Sequence, residues 1–342
     1  MINNRLYNYN YSPFDYQKEY EVKRLRKTSS GLGIFVFSYF IIMIALSAAL
    51  GTVISIISPY SDLLSKSTPL FLLDIFISAF AAFIPSLFYF LFSGTSISDT
   101  IKVKYVKLNT LIPLVALGLG VAMFSNTVSG IVESNFSIFG LQNEVSFSQP
   151  TNSVLEKVLY IIAVSLVPAL AEEFAFRGVV MGTLRKYGDA FAIISSSVVF
   201  GVMHGNISQI PFAFILGLVL AFADCKTNSI VPSIIIHFLN NLYAVIMDIL
   251  QESYTISDKA FYIIYLAIIL GFCILGIISF FILIKQDKKF FNLNSRTGVT
   301  YTQTDLLSFK EKNTTFYSSF GIMLSIILFG IETILNLGII NV

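Results

Sequence analysis

Runs of roughly 20 apolar residues set the strongest limit on what this chain can become. A segment that long with almost no charge can cross the hydrocarbon core of a bilayer. There each backbone N–H and C=O has to be satisfied within the segment, which leaves the α-helix as its fold. Nine such segments follow one another, at about residues 31–57, 69–93, 109–132, 154–184, 190–204, 208–224, 229–248, 260–284 and 316–338. The expected fold is therefore all-α, a polytopic membrane helix bundle of about nine transmembrane spans. The fifth and sixth segments are short and separated by Gly205-Asn206-Ile207, while the fourth is long enough to tilt or protrude.

Composition agrees with lipid as the solvent. Hydrophobic residues make up 55% and charged residues 12%, against about 25% charge in soluble domains, and the mean hydropathy is +0.78. The formal net charge of +2 carries no nucleic-acid signature, and the basic residues sit in short clusters between apolar runs, where they orient helices. Nucleic acid is excluded as an expected partner and the lipid bilayer takes its place. Cys225 and Cys273 have no metal-like spacing and read as small buried hydrophobes. The first 28 residues are polar, rich in Tyr and Asn, and end in Lys23, Arg24, Arg26 and Lys27. That approach is too long and polar for a cleavable signal, so the first span reads as an uncleaved anchor.

Orientation follows from the loops. Of the 22 Lys and Arg residues, 18 lie in alternate segments: the N-terminal tail, 94–108, 185–189, 225–228 and 285–315. Cytoplasmic loops hold the positive excess, so the expected N-terminus is cytoplasmic, as is loop 285–315. The chain divides into an N-terminal tail (1–30), N-terminal spans (31–153), a central block (154–250) and C-terminal spans (251–342). The Lys-, Asn- and Ile-rich loops suggest a bacterial cell membrane.

Against that background the polar residues inside the spans stand out. The only two histidines, His204 and His237, fall in or at the end of apolar runs, and another run carries Glu172-Glu173-Phe174-Ala175-Phe176-Arg177. Such groups are costly in hydrocarbon and are usually kept for proton transfer, ligands or chemistry. At 1.5 Å of rise per residue, Glu172 lies about 20 Å from the expected cytoplasmic edge, Arg177 about 12 Å, His204 about 22 Å, and His237 and Asn241 about 12 and 18 Å. Three helices thus carry polar groups to one band of depth. Glu173 and Arg177, at i and i+4, share a face and can pair, which leaves Glu172, turned about 100° away, free to face a cavity. Phe200 and His204 have the same spacing. So do His237 and Asn241, which place two donors on one stripe able to hold an oxyanion. Asp74 and Glu332 have no partner legible in the sequence and read as interfacial.

Glu172-Glu173-x-x-x-Arg177, Phe200-x-x-x-His204 and His237-x-x-x-Asn241, in that order over about residues 154–250, resemble the CPBP family. This group includes the CAAX prenyl endopeptidases and the bacteriocin-processing or immunity proteins, also called Abi. The resemblance implies an intramembrane glutamic endopeptidase without metal or other cofactor. In it Glu172 and His204 would activate a water, His237 and Asn241 would stabilise the oxyanion, and Glu173, Arg177 and Phe200 would support them. The implied partner is a peptide or membrane-protein substrate. Other readings of the same residues stay open: a zinc ion held by Glu172, His204 and His237, although no His-Glu-x-x-His helix is present; an immunity-like scaffold that binds without cutting; or a proton-coupled transporter. The sequence does not specify an oligomeric state.

Overall fold

The computed structural model of the protein describes residues 13–57, 67–143, 151, 153–253, 257–293 and 306–339. Residues 1–12 of the tail, Lys66 and residues 294–305 of the expected loop 285–315 lie outside the described residues. Ten helices carry the fold: α1 (Pro13–Ile57), α2 (Ser67–Ser93), α3 (Leu108–Ile138), the long rod α4 (Val154–Tyr187), α5 (Asp189–Val202), α6 (Gln209–Thr227), α7 (Val231–Ser253), α8 (Asp258–Gln286), α9 (Phe309–Tyr317) and α10 (Phe320–Leu335).

The polytopic helical bundle is borne out, with one refinement of its count. Among the described residues, seven helices are long and apolar enough to cross a membrane, and α9 with α10 makes an eighth only if that pair, bent by 66°, is taken as one span. The segment expected at 190–204 forms a 14-residue helix, about 21 Å of rise against a hydrocarbon core of about 30 Å. α1 is longer than its apolar run, since its 45 residues begin at Pro13 and include most of the polar approach. A two-stranded antiparallel ribbon, β1 (Leu141–Asn143) with β2 (Leu337–Ile339), pairs Leu141 with Ile339 and Asn143 with Leu337, and ties the end of α3 to the end of α10.

The outer surface is apolar. On α8 Ile263, Leu270, Ile274, Ile277 and Phe281 are all exposed, an arrangement that water would penalise and acyl chains accept. Lipid gives no hydrophobic drive between helices, so close backbone packing takes over that role. α1 meets α10 at Gly33 and Gly321, where a Cβ on Gly33 would lie 2.0 Å from the Gly321 carbonyl carbon, and Ser325 donates across the joint to the Gly33 carbonyl at 2.8 Å. Gly33→Ala should therefore force the two helices apart and cost about 1–3 kcal/mol, the range for overpacking. Thermal unfolding in detergent checks this, with Gly51→Ala, whose added Cβ would meet nothing within 4 Å, as the control expected to show no loss.

Two buried clusters flank the central block. One joins α1, α4, α5 and α10 through Phe35, Phe176, Phe191, Phe200 and Phe329. The other joins α3, α6, α7 and α8 through Leu114, Met123, Leu216, Ile236 and Ile269. The polar residues of interest lie on α4, on α7 and in the turn that follows α5, between them.

Candidate active site

The rod α4 starts on a capping box: Ser153 Oγ accepts from Glu156 N at 3.2 Å, and Glu156 Oε2 accepts from Ser153 N at 3.0 Å. Two stretches then widen into π-helix, Ile162–Leu166 and Glu173–Met181. Such turns shift side chains by a residue and gather at functional sites. Between them Pro168 has no N–H to offer the carbonyl four residues back, that of Val164. Asn241 on α7 donates to that oxygen through Nδ2 at 3.2 Å, while Asn240 donates to Asn241 Oδ1 at 3.1 Å. The Asn241 amide is thereby fixed at both ends and keeps one N–H in hand.

Glu173, Arg177 and His237 form a buried triad. They are 0%, 2% and 3% exposed, so the pairing is required: an isolated charge at this depth would be strongly unfavourable. Glu173 Oε1 accepts from His237 Nδ1 at 2.8 Å and lies 3.1 Å from Arg177 Nη1. The guanidinium also donates to the Gly217 carbonyl at 3.4 Å and sits 4.2 Å above the centre of the Phe200 ring. The expected pairing of Glu173 with Arg177 is present. One nitrogen of His237 is committed to Glu173, a contact the sequence did not reveal.

Its other nitrogen faces Glu172. His237 Nε2 lies 4.0 Å from Glu172 Oε2, an oxygen that is buried and has no hydrogen-bond partner among the described residues. One imidazole therefore stands between both glutamates. An unbonded carboxylate oxygen at such a position is costly to the fold, and it is the kind of group that a site holds ready for a reactant.

His204 arrives from the other side. Its Nδ1 is 2.8 Å from the Phe200 carbonyl. A carbonyl only accepts, so Nδ1 carries the proton and Nε2 is the basic nitrogen. The Phe200 ring meets His204 edge-on at 5.0 Å and His237 at 6.0 Å, so both imidazoles pack on this one phenyl. Glu172 is near enough for its charge to act on His204 and on Tyr39. Tyr39 itself is buried on α1, with its ring against Phe176 at 6.1 Å.

The loop after His204 is held by a helix far away in sequence. Gly205 has φ +57°, and an added Cβ would lie 2.5 Å from the Glu332 carboxyl group. Asn336 donates to the Gly205 carbonyl at 2.9 Å, and Asn206 Oδ1 accepts from Ser208 N and Ser208 Oγ to start α6. Glu332, expected to be interfacial, packs instead on the turn that carries His204. Tyr39, Glu332 and Asn336 were not found from sequence, since only the packing of α1 and α10 on the central block brings them there. Asp74 does lie exposed on α2. Neither cysteine is in a disulfide: Cys225 is buried beside Met181 and Cys273 half-buried beside the Gly120 carbonyl. Among the described residues, no three His, Cys, Asp or Glu side chains converge as a metal-holding group.

Residues 154–243 match the family model described as type II CAAX prenyl endopeptidase Rce1-like. The chain is 32% identical over 134 residues to YdiL of Bacillus subtilis (strain 168), provisionally named a membrane peptidase, covering 39% of this chain and 54% of that protein. It is 30% identical over 149 residues to the membrane-embedded CAAX protease MroQ of Staphylococcus aureus (strain USA300), covering 41% of this chain and 60% of that one. The chain thus spans a little over half the length of these relatives. No solved structure matches it. The likeness read from the three motifs is shown over this core, in a multi-pass integral membrane protein with bacterial relatives.

Proposed function

We propose that this chain, whose residues 154–243 carry an Rce1-like CAAX endopeptidase core, is a metal-independent intramembrane endopeptidase. It hydrolyses a peptide bond in a membrane-associated peptide or protein tail. The observation that carries this reading is the buried, unbonded Glu172 carboxylate 4.0 Å from His237 Nε2, with the rings of His204 and His237 both edge-on to that of Phe200, at 5.0 and 6.0 Å.

In this reading Glu172, helped by His204, takes a proton from a water whose oxygen attacks the scissile carbonyl carbon. The carbonyl oxygen gains negative charge and is met by donors already in place: a protonated His237 Nε2 and the remaining N–H of Asn241. Glu173 balances the imidazolium charge and holds the ring, as a carboxylate does for a histidine in many hydrolytic sites. Collapse of the tetrahedral intermediate breaks the C–N bond, and the proton taken from water goes to the leaving amine. The 4.0 Å separation suits one bridging water at an angle.

The test is incubation of purified protein with membrane-associated peptides in water enriched in ¹⁸O, read by mass spectrometry. Hydrolysis places one solvent oxygen in each new carboxyl terminus, and chelators leave the rate unchanged. Asn241→Ala should reduce turnover by about 10²–10³, the usual effect of losing one oxyanion donor. Loss of cleavage in chelator with rescue by zinc would identify the metal-dependent reading instead. Failure to cleave any peptide, with biological function kept in Glu172→Gln, would point to the binding scaffold.

A further inference from the structure

A cleft of about 1070 Å³ opens between α1 and α2, and neither Glu172 nor either histidine lines it. Its two ends differ in chemistry. At one end are Arg24 and Lys27 of α1, Lys102 and Lys104 of the 101–107 link and Lys186 at the end of α4, with Asp99 the one carboxylate among the described residues of the lining. Glu21 lies one turn before Arg24 and is buried, so it tempers that cation without filling the cleft. The other end is apolar, formed by Ile34 and Ile42 of α1 and by Phe88 and Phe92 of α2; Ile34, Phe88 and Phe92 are 49%, 53% and 83% exposed on the lipid side.

The cationic link is not loose. Lys104 N donates to Ser229 Oγ at 3.1 Å, Ser229 Oγ donates back to the Lys104 carbonyl at 2.8 Å, and Ile230 N donates to the Lys102 carbonyl at 2.8 Å. The backbone that carries these two cations is thereby anchored to the start of α7. Along α1, Ile34 and Ile42 follow Lys27 by seven and fifteen residues, about 10 and 22 Å, and one leaflet of hydrocarbon is about 15 Å deep. Ile34 therefore lies within the leaflet beneath the cations, and Ile42 reaches past its depth, so the wall spans that leaflet.

We propose that this cleft binds one anionic phospholipid, its phosphate among Arg24, Lys27 and Lys186 and an acyl chain along Ile34, Ile42 and Phe88. A charged head joined to a hydrocarbon tail satisfies both ends together. An acidic peptide would answer only the cations and leave the lipid-facing aromatic wall uncovered. The proposal rests on the cleft alone and is independent of the peptidase reading, although Gly182 and Thr183 of the catalytic rod form part of the lining.

The experiment uses the full chain purified in detergent and exposed to mixed micelles of phosphatidylglycerol and phosphatidylcholine with matched acyl chains, the retained lipid being counted by native mass spectrometry. Phosphatidylglycerol should be retained preferentially, and less so as salt rises, since screening weakens charge pairing at a surface. The double variant Lys27→Gln/Lys186→Gln should lose about 25-fold in retention, about fivefold for each cation at an anionic lipid surface. The charge-conserving pair Lys27→Arg/Lys186→Arg should keep it, and Phe88→Ser should weaken it. Equal retention of the two lipids, or salt independence in the unaltered protein, would overturn the proposal even if the glutamine variants failed to fold. So would displacement of phosphatidylglycerol by an acidic peptide lacking any acyl chain, or retention unchanged in folded glutamine variants.

Discussion

Glu172→Gln is expected to lower peptide turnover by about 10²–10⁴, the contribution of one positioned general base, while leaving thermal unfolding unchanged or slightly raised. The two outcomes separate because of what Glu172 does not do in the resting fold. Its Oε2 is buried without a hydrogen-bond partner, and its nearest ionic neighbour, His237 Nε2, is 4.0 Å away, too far for a direct bond. An amide of the same shape loses no hydrogen bond there and removes the cost of an unsatisfied carboxylate oxygen. His204→Ala should lose activity to a similar degree. Groups that serve one proton transfer act as a unit, so the combined variant should fall little below either single one. Steady-state turnover and unfolding measured on the same preparations check this, and retention of turnover within tenfold in Glu172→Gln would remove Glu172 from the chemistry.

The parts of the fold legible in the sequence are those governed by the solvent. Run length and absence of charge identified α2, α3, α4 and α8 because hydrocarbon accepts only internally bonded backbone. Hydropathy showed neither α9 nor the break after it, since Phe309–Tyr317 is mostly polar and falls largely within the expected loop 285–315. There Ser319 adopts an extended backbone, with Oγ donating to the Phe316 carbonyl at 2.7 Å, and the chain bends by 66°. Residues 337 and 338, expected to end a span, instead belong with residue 339 to a strand paired with 141–143, a partnership almost 200 residues away in sequence.

The site divides in the same way. Glu173 with Arg177 could be read from helical spacing, because a pair at i and i+4 shares a face in any α-helix. The direction of His237 could not. The stripe of His237 and Asn241 is real, yet what each ring or amide bonds depends on the neighbouring rod. Pro168 withdraws a donor from the Val164 carbonyl, and the π-turns at 162–166 and 173–181 move both glutamates relative to an ideal helix. Glu332 and Asn336 stayed invisible for a further reason: their role depends on Gly205, whose positive φ opens a place that only the packing of α10 fills.

Arg177→Met carries the largest expected effect on stability, a loss of about 3–5 kcal/mol, because it takes away the guanidinium 3.1 Å from Glu173 and leaves that carboxylate, at 0% exposure, with His237 alone beside it. Glu173→Gln should be destabilising for the mirror reason, leaving the guanidinium with only the Gly217 carbonyl and the Phe200 face. The double variant Arg177→Met/Glu173→Gln removes both charges together and should recover most of the stability, as replacing a buried ion pair as a whole commonly does. Activity should not follow. A glutamine at 173 can still accept from His237 Nδ1, so the ring stays in place, but nothing balances an imidazolium, and turnover should remain at least about tenfold down because its donation to the oxyanion is weakened. Unfolding titrations in mixed micelles give the stability cycle, and peptide turnover on the same four proteins gives the functional one. A double variant that regains both stability and turnover would reduce the triad to a structural pin; one that regains neither would mean that the two charges are not a coupled pair.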